Sequence, residues 1–122
     1  MRRIFLNSKE LLKLIAAAID EKHGEDIIVY DMQGISILSD YVIITHGNSN
    51  RQVHAIADNV SEKLKEADYY NFNVEGNKDS DWLLIDAKEV LVNVFTDEAR
   101  EFYGLEKLWS EAKEIPVEEL LQ

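Results

Sequence analysis

The chain has no cysteine at all and a single proline among its 122 residues. Without cysteine there can be no disulfide framework, no thiolate zinc site and no cysteine nucleophile, which suits a reducing, cytoplasmic setting. Positive charge is scarce too. There are 13 Lys+Arg against 24 Asp+Glu, a formal net charge of minus 11, and the pI is near 4.6. Binding to RNA or DNA draws most of its sequence-independent affinity from Lys and Arg that neutralise phosphates, so no direct nucleic-acid binding is expected. A basic protein is the better partner for such a chain. Long apolar runs are missing as well: the longest, Leu14 to Ile19, falls far short of the about 20 residues a membrane span needs. The start, Met1 to Leu6, holds too few apolar residues for a signal peptide, so no membrane association is expected.

What the chain does have is 46% hydrophobic residues, enough for one packed core. A chain of this length buries roughly two thirds of the surface its unfolded form exposes, so residues 1–122 are read as a single domain. Asn7, with Glu10 three residues on, predicts a capping box, and Leu11, Leu14, Ile15, Ala18 and Ile19 recur at helical spacing until His23-Gly24. Asp26 to Asp31 and Tyr41 to His46 are rich in β-branched residues and read as strands around a turn bearing Gly34. Gly47-Asn48-Ser49 then turns and caps a helix over Asn50 to Ala67, with Val53, Ile56, Ala57, Val60 and Leu64 as its apolar stripe.

Tyr70, Phe72 and Val74 alternate with Asn71 and Asn73, as in a short half-buried strand. Trp82 to Asp86 and Val90 to Phe95 read as two more strands joined by a tight turn. Thr96 caps a helical segment that runs to Tyr103 and stops at Gly104, and Leu105 to Lys113 is read as a further helix. Val117, Leu120 and Leu121 follow Pro116 at helical spacing, so the tail, residues 110–122, is read either as a frayed helix or as a docking helix. The whole is an α/β layout: a mixed, mainly five-stranded sheet with helices on at least one face, the second helix long enough to be a crossover between parallel strands.

Enzyme chemistry lacks its parts. His23, His46 and His54 include no pair at the spacing of helical metal ligands, so no metal site is assigned. Gly47-Asn48-Ser49, with Arg51 in the first helical turn, could cradle a phosphate, but it has neither the Lys-Ser/Thr of a P-loop nor the three glycines of a dinucleotide motif. A nucleotidyl transferase needs two or three carboxylates around Mg²⁺, and the strands after this turn offer only Asp86. Ser49 and His54 lie on different faces of a helix and cannot form a triad.

Four blocks remain: Asp40-Tyr41-Val42-Ile43; Ser49 to Val53 with Ala55-Ile56-Ala57; Glu75-Gly76 leading to Trp82 and Asp86; and Val92 to Phe95 followed by Arg100 to Trp109. In order and spacing they resemble the Iojap-like ribosomal silencing factors from about Leu11 to Ala112, most specifically in the closing R-x-F-Y-x-L-E-x-L-W block. The resemblance implies a nucleotidyltransferase-like fold without the catalytic acids, no cofactor and a homodimer. It implies a non-enzymatic repressor of translation that binds the large ribosomal subunit through its basic fourteenth protein and blocks joining of the small subunit when nutrients are short. The alternatives are a nucleotide-binding or nucleotidyl-transferring enzyme on a related fold and a dimeric scaffold unrelated to ribosomes. In one respect the chain departs from the pattern: the family usually has His where Asn93 stands, and Asn can donate and accept but does not titrate.

The expected partner-binding residues are Tyr41, Trp82, Asp86, Asn93, Arg100, Tyr103, Glu106 and Trp109, with Trp82, Tyr103 and Trp109 as anchors because Trp and Tyr dominate interface hot spots. Tyr103, Glu106 and Trp109 recur at threes on one helical face. Phe102, Leu105 and Leu108 recur on the neighbouring face, as the stripe that would pack a helix on the sheet. Asp40, Asp86 and Arg100 are alternatively an internal ion pair or turn, and Tyr41 is expected half in the core.

Overall fold

A computed structural model describes residues 6–122. Most of the segment read above against a signal peptide, residues 1–5, lies outside the described residues. Among the described residues, four α-helices and six strands follow one another in the order α1 (Ser8–Glu21), β1 (Glu25–Asp31), β2 (Tyr41–Gly47), α2 (Asn50–Glu66), β3 (Asn73–Glu75), β4 (Trp82–Asp86), β5 (Val90–Thr96), α3 (Asp97–Tyr103), β6 (Lys113–Ile115) and α4 (Val117–Leu120). A 3-10 turn over Leu105–Trp109 separates α3 from β6. The sheet runs β3-β4-β5-β2-β1-β6. Only β2 and β5 are parallel, paired from Tyr41 with Val90 to Gly47 with Thr96, and the other neighbours are antiparallel. The connection between these parallel strands contains α2, as expected, and also β3 and β4.

The local signals explain the elements. In α1 the Asn7 side chain accepts from the Glu10 amide at 2.8 Å while Glu10 accepts from the Asn7 amide at 3.0 Å, so the capping box satisfies two amides that helical bonding leaves free. The helix ends at Glu21, and the chain turns back over it at Gly24, where a Cβ would stand 2.3 Å from the Ile19 side chain. Leu11, Leu12, Ile15 and Ile19 face inward, each buried side chain stabilising the fold by about 1.5–3 kcal/mol. In α2 the Ser49 hydroxyl accepts from the Gln52 amide, and Val53, Ile56, Ala57, Val60 and Leu64 form the buried stripe.

With α4, these helices cover one face of the sheet over Val29, Tyr41, Ile43, Val92 and Val94. The other face carries Tyr30, Val42, Ile44 and Phe95, and of the elements among the described residues only α3 and the 3-10 turn lie on it.

Three segments differ from the sequence reading. The strand expected around Tyr70 to Val74 begins only at Asn73, because Asp68 takes a left-handed φ of 61° and the Tyr69 amide folds back onto the Leu64 carbonyl. The helix expected from Leu105 to Lys113 is a single 3-10 turn, after which Lys113–Ile115 pairs with β1 as a sixth strand. The tail then turns at Pro116, and α4 buries Leu120 in the core that α1 lines.

Candidate functional site

Strand alternation places Trp82, Leu84 and Asp86 of β4 and Leu91, Asn93 and Phe95 of β5 on the face that α1 and α2 leave bare. The α3 helix crosses one end of this face. Thr96 caps it by accepting from the Ala99 amide, and Gly104, at φ 54°, ends it in the left-handed conformation. That short helix lays Tyr103 over the sheet. Trp82 stacks on Phe95 with ring centroids 5.0 Å apart and meets Tyr103 at 4.9 Å, while Phe102 stands edge-on to Tyr103 at 5.1 Å.

The outer side of this cluster is open to solvent. Phe102 is 82% exposed, Leu108 70% and Tyr103 49%. The stripe of Phe102, Leu105 and Leu108 expected to pack on the sheet is therefore divided: Leu105 packs inward, Phe102 faces outward from α3, and Leu108 is turned outward once the helical period breaks at Gly104. At the other end of the face, Trp109 packs against Tyr30 at 5.9 Å, and a shallow groove there is lined by Ile35, Leu108, Trp109 and Ala112. Ile37 and Leu38, in the loop between β1 and β2, are fully or mostly exposed. Sequence reasoning missed these three loop residues. The signal was there, since Gly34-Ile35-Ser36-Ile37-Leu38-Ser39 puts apolar residues in a turn where polar ones are usual.

Arg100 and Glu106 form the clasp that holds α3 and the 3-10 turn in place. Arg100 is only 7% exposed. Its guanidinium donates to the Asp26 carbonyl at 2.8 Å, to Glu106 at 3.0 Å and more distantly to the Glu25 carbonyl at 3.4 Å. These carbonyls are presented by a bulge at the start of β1, where Asp26 has a φ of 46°. Arg100 also donates to His46 Nδ1 at 2.8 Å; since a guanidinium can only donate, Nδ1 must be the acceptor and the ring proton sits on Nε2, towards Asp97 at 3.6 Å. The ion pair alternative for Arg100 is thus realised with Glu106, and at 3.9 Å with Asp26, rather than with Asp40 or Asp86.

Asn93 is 1% exposed, beneath the aromatic cluster, and accepts from the Trp82 indole N–H at 3.1 Å. Asp86 closes the turn after β4 by accepting from the Lys88 amide at 3.0 Å. Tyr41 does not join the others: it is buried on the opposite face, under α1 and α2, not half at the surface. Burial, with Asp31 and Asp40 adding to it, raises its phenol above the ordinary value of 10.0. Tyr30 is raised by burial and by Glu106 and Glu114, with Arg100 opposing. The eight predicted residues therefore divide into exposed or half-exposed aromatics (Trp82, Tyr103, Trp109), supports beneath or beside them (Asn93, Arg100, Glu106), a turn residue (Asp86) and a core residue (Tyr41).

The turn at Gly47-Asn48-Ser49 and Asp86 are not brought together. Gly47 pairs with Thr96 at one end of the sheet and Asp86 with Leu91 towards the other, roughly 16 Å apart at about 3.3 Å per residue. The notch beside the Gly47-Asn48-Ser49 turn is lined by Asp81, Asp97 and Glu98, which would repel a phosphate. Among the described residues no group of three or more His, Asp or Glu could hold a metal ion, and no helix is long and apolar enough to cross a membrane.

Comparison with known proteins finds relatives over most of the chain. The family described as "Ribosomal silencing factor during starvation" matches residues 6–122. The ribosomal silencing factor RsfS of Bacillus subtilis is 44% identical over 107 residues, 88% of this chain and 91% of that protein. A crystal structure of a Chromobacterium violaceum protein superposes with a TM-score of 0.82 at 37% identity, covering 86% of this chain and 88% of the other. A more distant relative, mouse "Mitochondrial assembly of ribosomal large subunit protein 1", is 28% identical over 86% of this chain and 47% of its own length.

Proposed function

Because the chain belongs to the ribosomal silencing factor family, whose role is to silence translation at the ribosome, we propose that it binds the large ribosomal subunit through the aromatic face. The contact is with the basic fourteenth protein of that subunit. Occupying it excludes the small subunit sterically, above all under nutrient limitation, and requires no catalysis and no cofactor. The protein acts in the cytoplasm, and in its free form it pairs with a second copy of itself.

One observation carries this reading: an acidic protein with a formal net charge of minus 11 leaves Phe102, Tyr103 and Leu108 in solvent on one sheet face and Ile37 and Leu38 in solvent in the loop between β1 and β2. Exposed apolar surface of this kind is an interaction site by its physics, since it gains by leaving water. The charge gives the encounter its direction. Attraction to a basic partner can raise association towards about 10⁸ per molar per second at low salt, while aromatic anchors set the residence time. The name of the mouse relative supports the large subunit as the partner.

The test is co-sedimentation with isolated large and small subunits, using wild type, Trp82→Ala and Tyr103→Ala, each checked for folding. The expected result is binding to the large subunit alone, weakened by salt and about 30-fold by either substitution, from a hot-spot loss of about 2 kcal/mol. Failure of the wild type to bind large subunits at low salt would remove the reading.

A further inference from the structure

We propose that Asn93 is a positioning residue that latches the Trp82 indole in the orientation the partner meets, an inference that rests on the large-subunit reading above. Asn93 sits in the middle of β5, between Leu84 of β4 and Ile44 of β2 in the register. Its buried polar company among the described residues is only Thr45 and Arg100. An amide at such a place costs free energy unless both of its ends are bonded, and an aliphatic residue would sit there without that cost.

Both ends are used. Nδ2 donates to the Ile43 carbonyl of the adjacent strand at 3.4 Å, and Oδ1 accepts from the Trp82 indole N–H at 3.1 Å. The first bond fixes which way the amide points; the flipped amide would set a donor against the indole N–H and the carbonyl oxygen against another carbonyl. The amide therefore turns the backbone of β2 into a reference for the ring on β4. Stacking on Phe95 and Tyr103 holds the indole plane, but stacking alone tolerates the ring turned over within that plane. The polar bond selects one of these orientations before any partner arrives.

A side chain at this position must offer an acceptor towards β4 and a donor towards β2. Neutral imidazole also has one ring nitrogen of each kind, so Asn93→His at pH 8 should keep the latch, whereas Asn93→Leu keeps the γ-branched shape and loses it.

The test has two arms. The first is NMR of the free protein, following the Trp82 indole N–H, told apart from that of Trp109 with Trp109→Phe. Its exchange with water should be slow in wild type and in Asn93→His at pH 8, and at least tenfold faster in Asn93→Leu. The second is affinity for large subunits, about fivefold weaker for Asn93→Leu and within twofold of wild type for Asn93→His, since a preorganising hydrogen bond of ordinary strength is worth about that factor. An indole N–H unchanged in Asn93→Leu would overturn the latch, as would an Asn93→His protein that behaves like Asn93→Leu. A freed indole with undiminished affinity would overturn its positioning role. A wild type that ignores large subunits, with the indole arm as expected, would instead sink the ribosomal reading and leave the latch standing.

Discussion

Replacing Arg100 with alanine should lower the stability of the fold by about 3 kcal/mol and disorder the aromatic face along with it. The guanidinium makes close bonds to the Asp26 carbonyl at 2.8 Å, His46 Nδ1 at 2.8 Å and Glu106 at 3.0 Å, and it is 93% buried. Hydrogen bonds to a charged group contribute about 1.5–3 kcal/mol each, but the arginine's own desolvation offsets much of their sum. Removing one partner of a buried pair typically costs about 3–5 kcal/mol. The lower end applies here, because the Glu106 side chain is 35% exposed and regains water when the arginine is gone. Urea denaturation followed by far-UV circular dichroism reads the loss directly, and the melting temperature should fall by about 10 °C. Arg100→Met, which keeps the aliphatic stem, should still cost about 2 kcal/mol, since the β1 bulge carbonyls lose their donor. Near-UV circular dichroism should report a loosened Trp82, Phe95 and Tyr103 cluster in both variants. A loss below about 1 kcal/mol for Arg100→Ala, or an unaltered near-UV spectrum, would refute the clasp.

The exposed loop should matter for binding and not for folding: Ile37→Ser with Leu38→Ser should reduce large-subunit affinity about tenfold while moving stability by less than about 0.5 kcal/mol. Co-sedimentation and urea melts on the same preparation decide it. Leu120→Ala, which empties a buried position between α4 and α1, should cost about 2–3 kcal/mol; a neutral result would show that the tail does not contribute to the core. The Tyr69 phenol is raised above its ordinary value of 10.0, first by burial and then by Glu89 and Asp86, and its hydroxyl donates to the Ala87 carbonyl at 2.7 Å. A raised folded value means that this contribution is fully present below pH 10 and is lost as the pH rises beyond it. Tyr69→Phe should therefore cost about 1 kcal/mol at pH 8 and flatten the fall in stability above pH 10, checked by urea melts across that range.

How much of this was legible beforehand follows how local each signal is. The capping box at Asn7 and Glu10, the Ser49 and Thr96 caps and the Gly104 stop depend on residues within one helical turn, and they stand where the sequence puts them. The sixth strand was not legible. Lys113-Glu114-Ile115 has no strand pattern of its own and is a strand only because the free edge of β1 lies alongside it. The exposure of Leu108 was misread for a related reason: a period of three continues on paper past Gly104, but the left-handed residue there breaks the helix and resets the direction of every side chain after it.

By itself, then, the sequence determined an acidic α/β chain with defined helix ends, no thiol chemistry and too few carboxylates at the right spacing for two-metal catalysis. These are consequences of composition and of interactions within a few residues. Only the tertiary structure decided that Trp82, Asn93 and Tyr103 form one cluster, that Tyr41 lies on the far side of the sheet from them, and that Arg100 looks inward to a β1 bulge 74 residues away in sequence. Strand order, register and the face a helix is laid upon come from burial summed over the whole chain, and no local pattern encodes that sum.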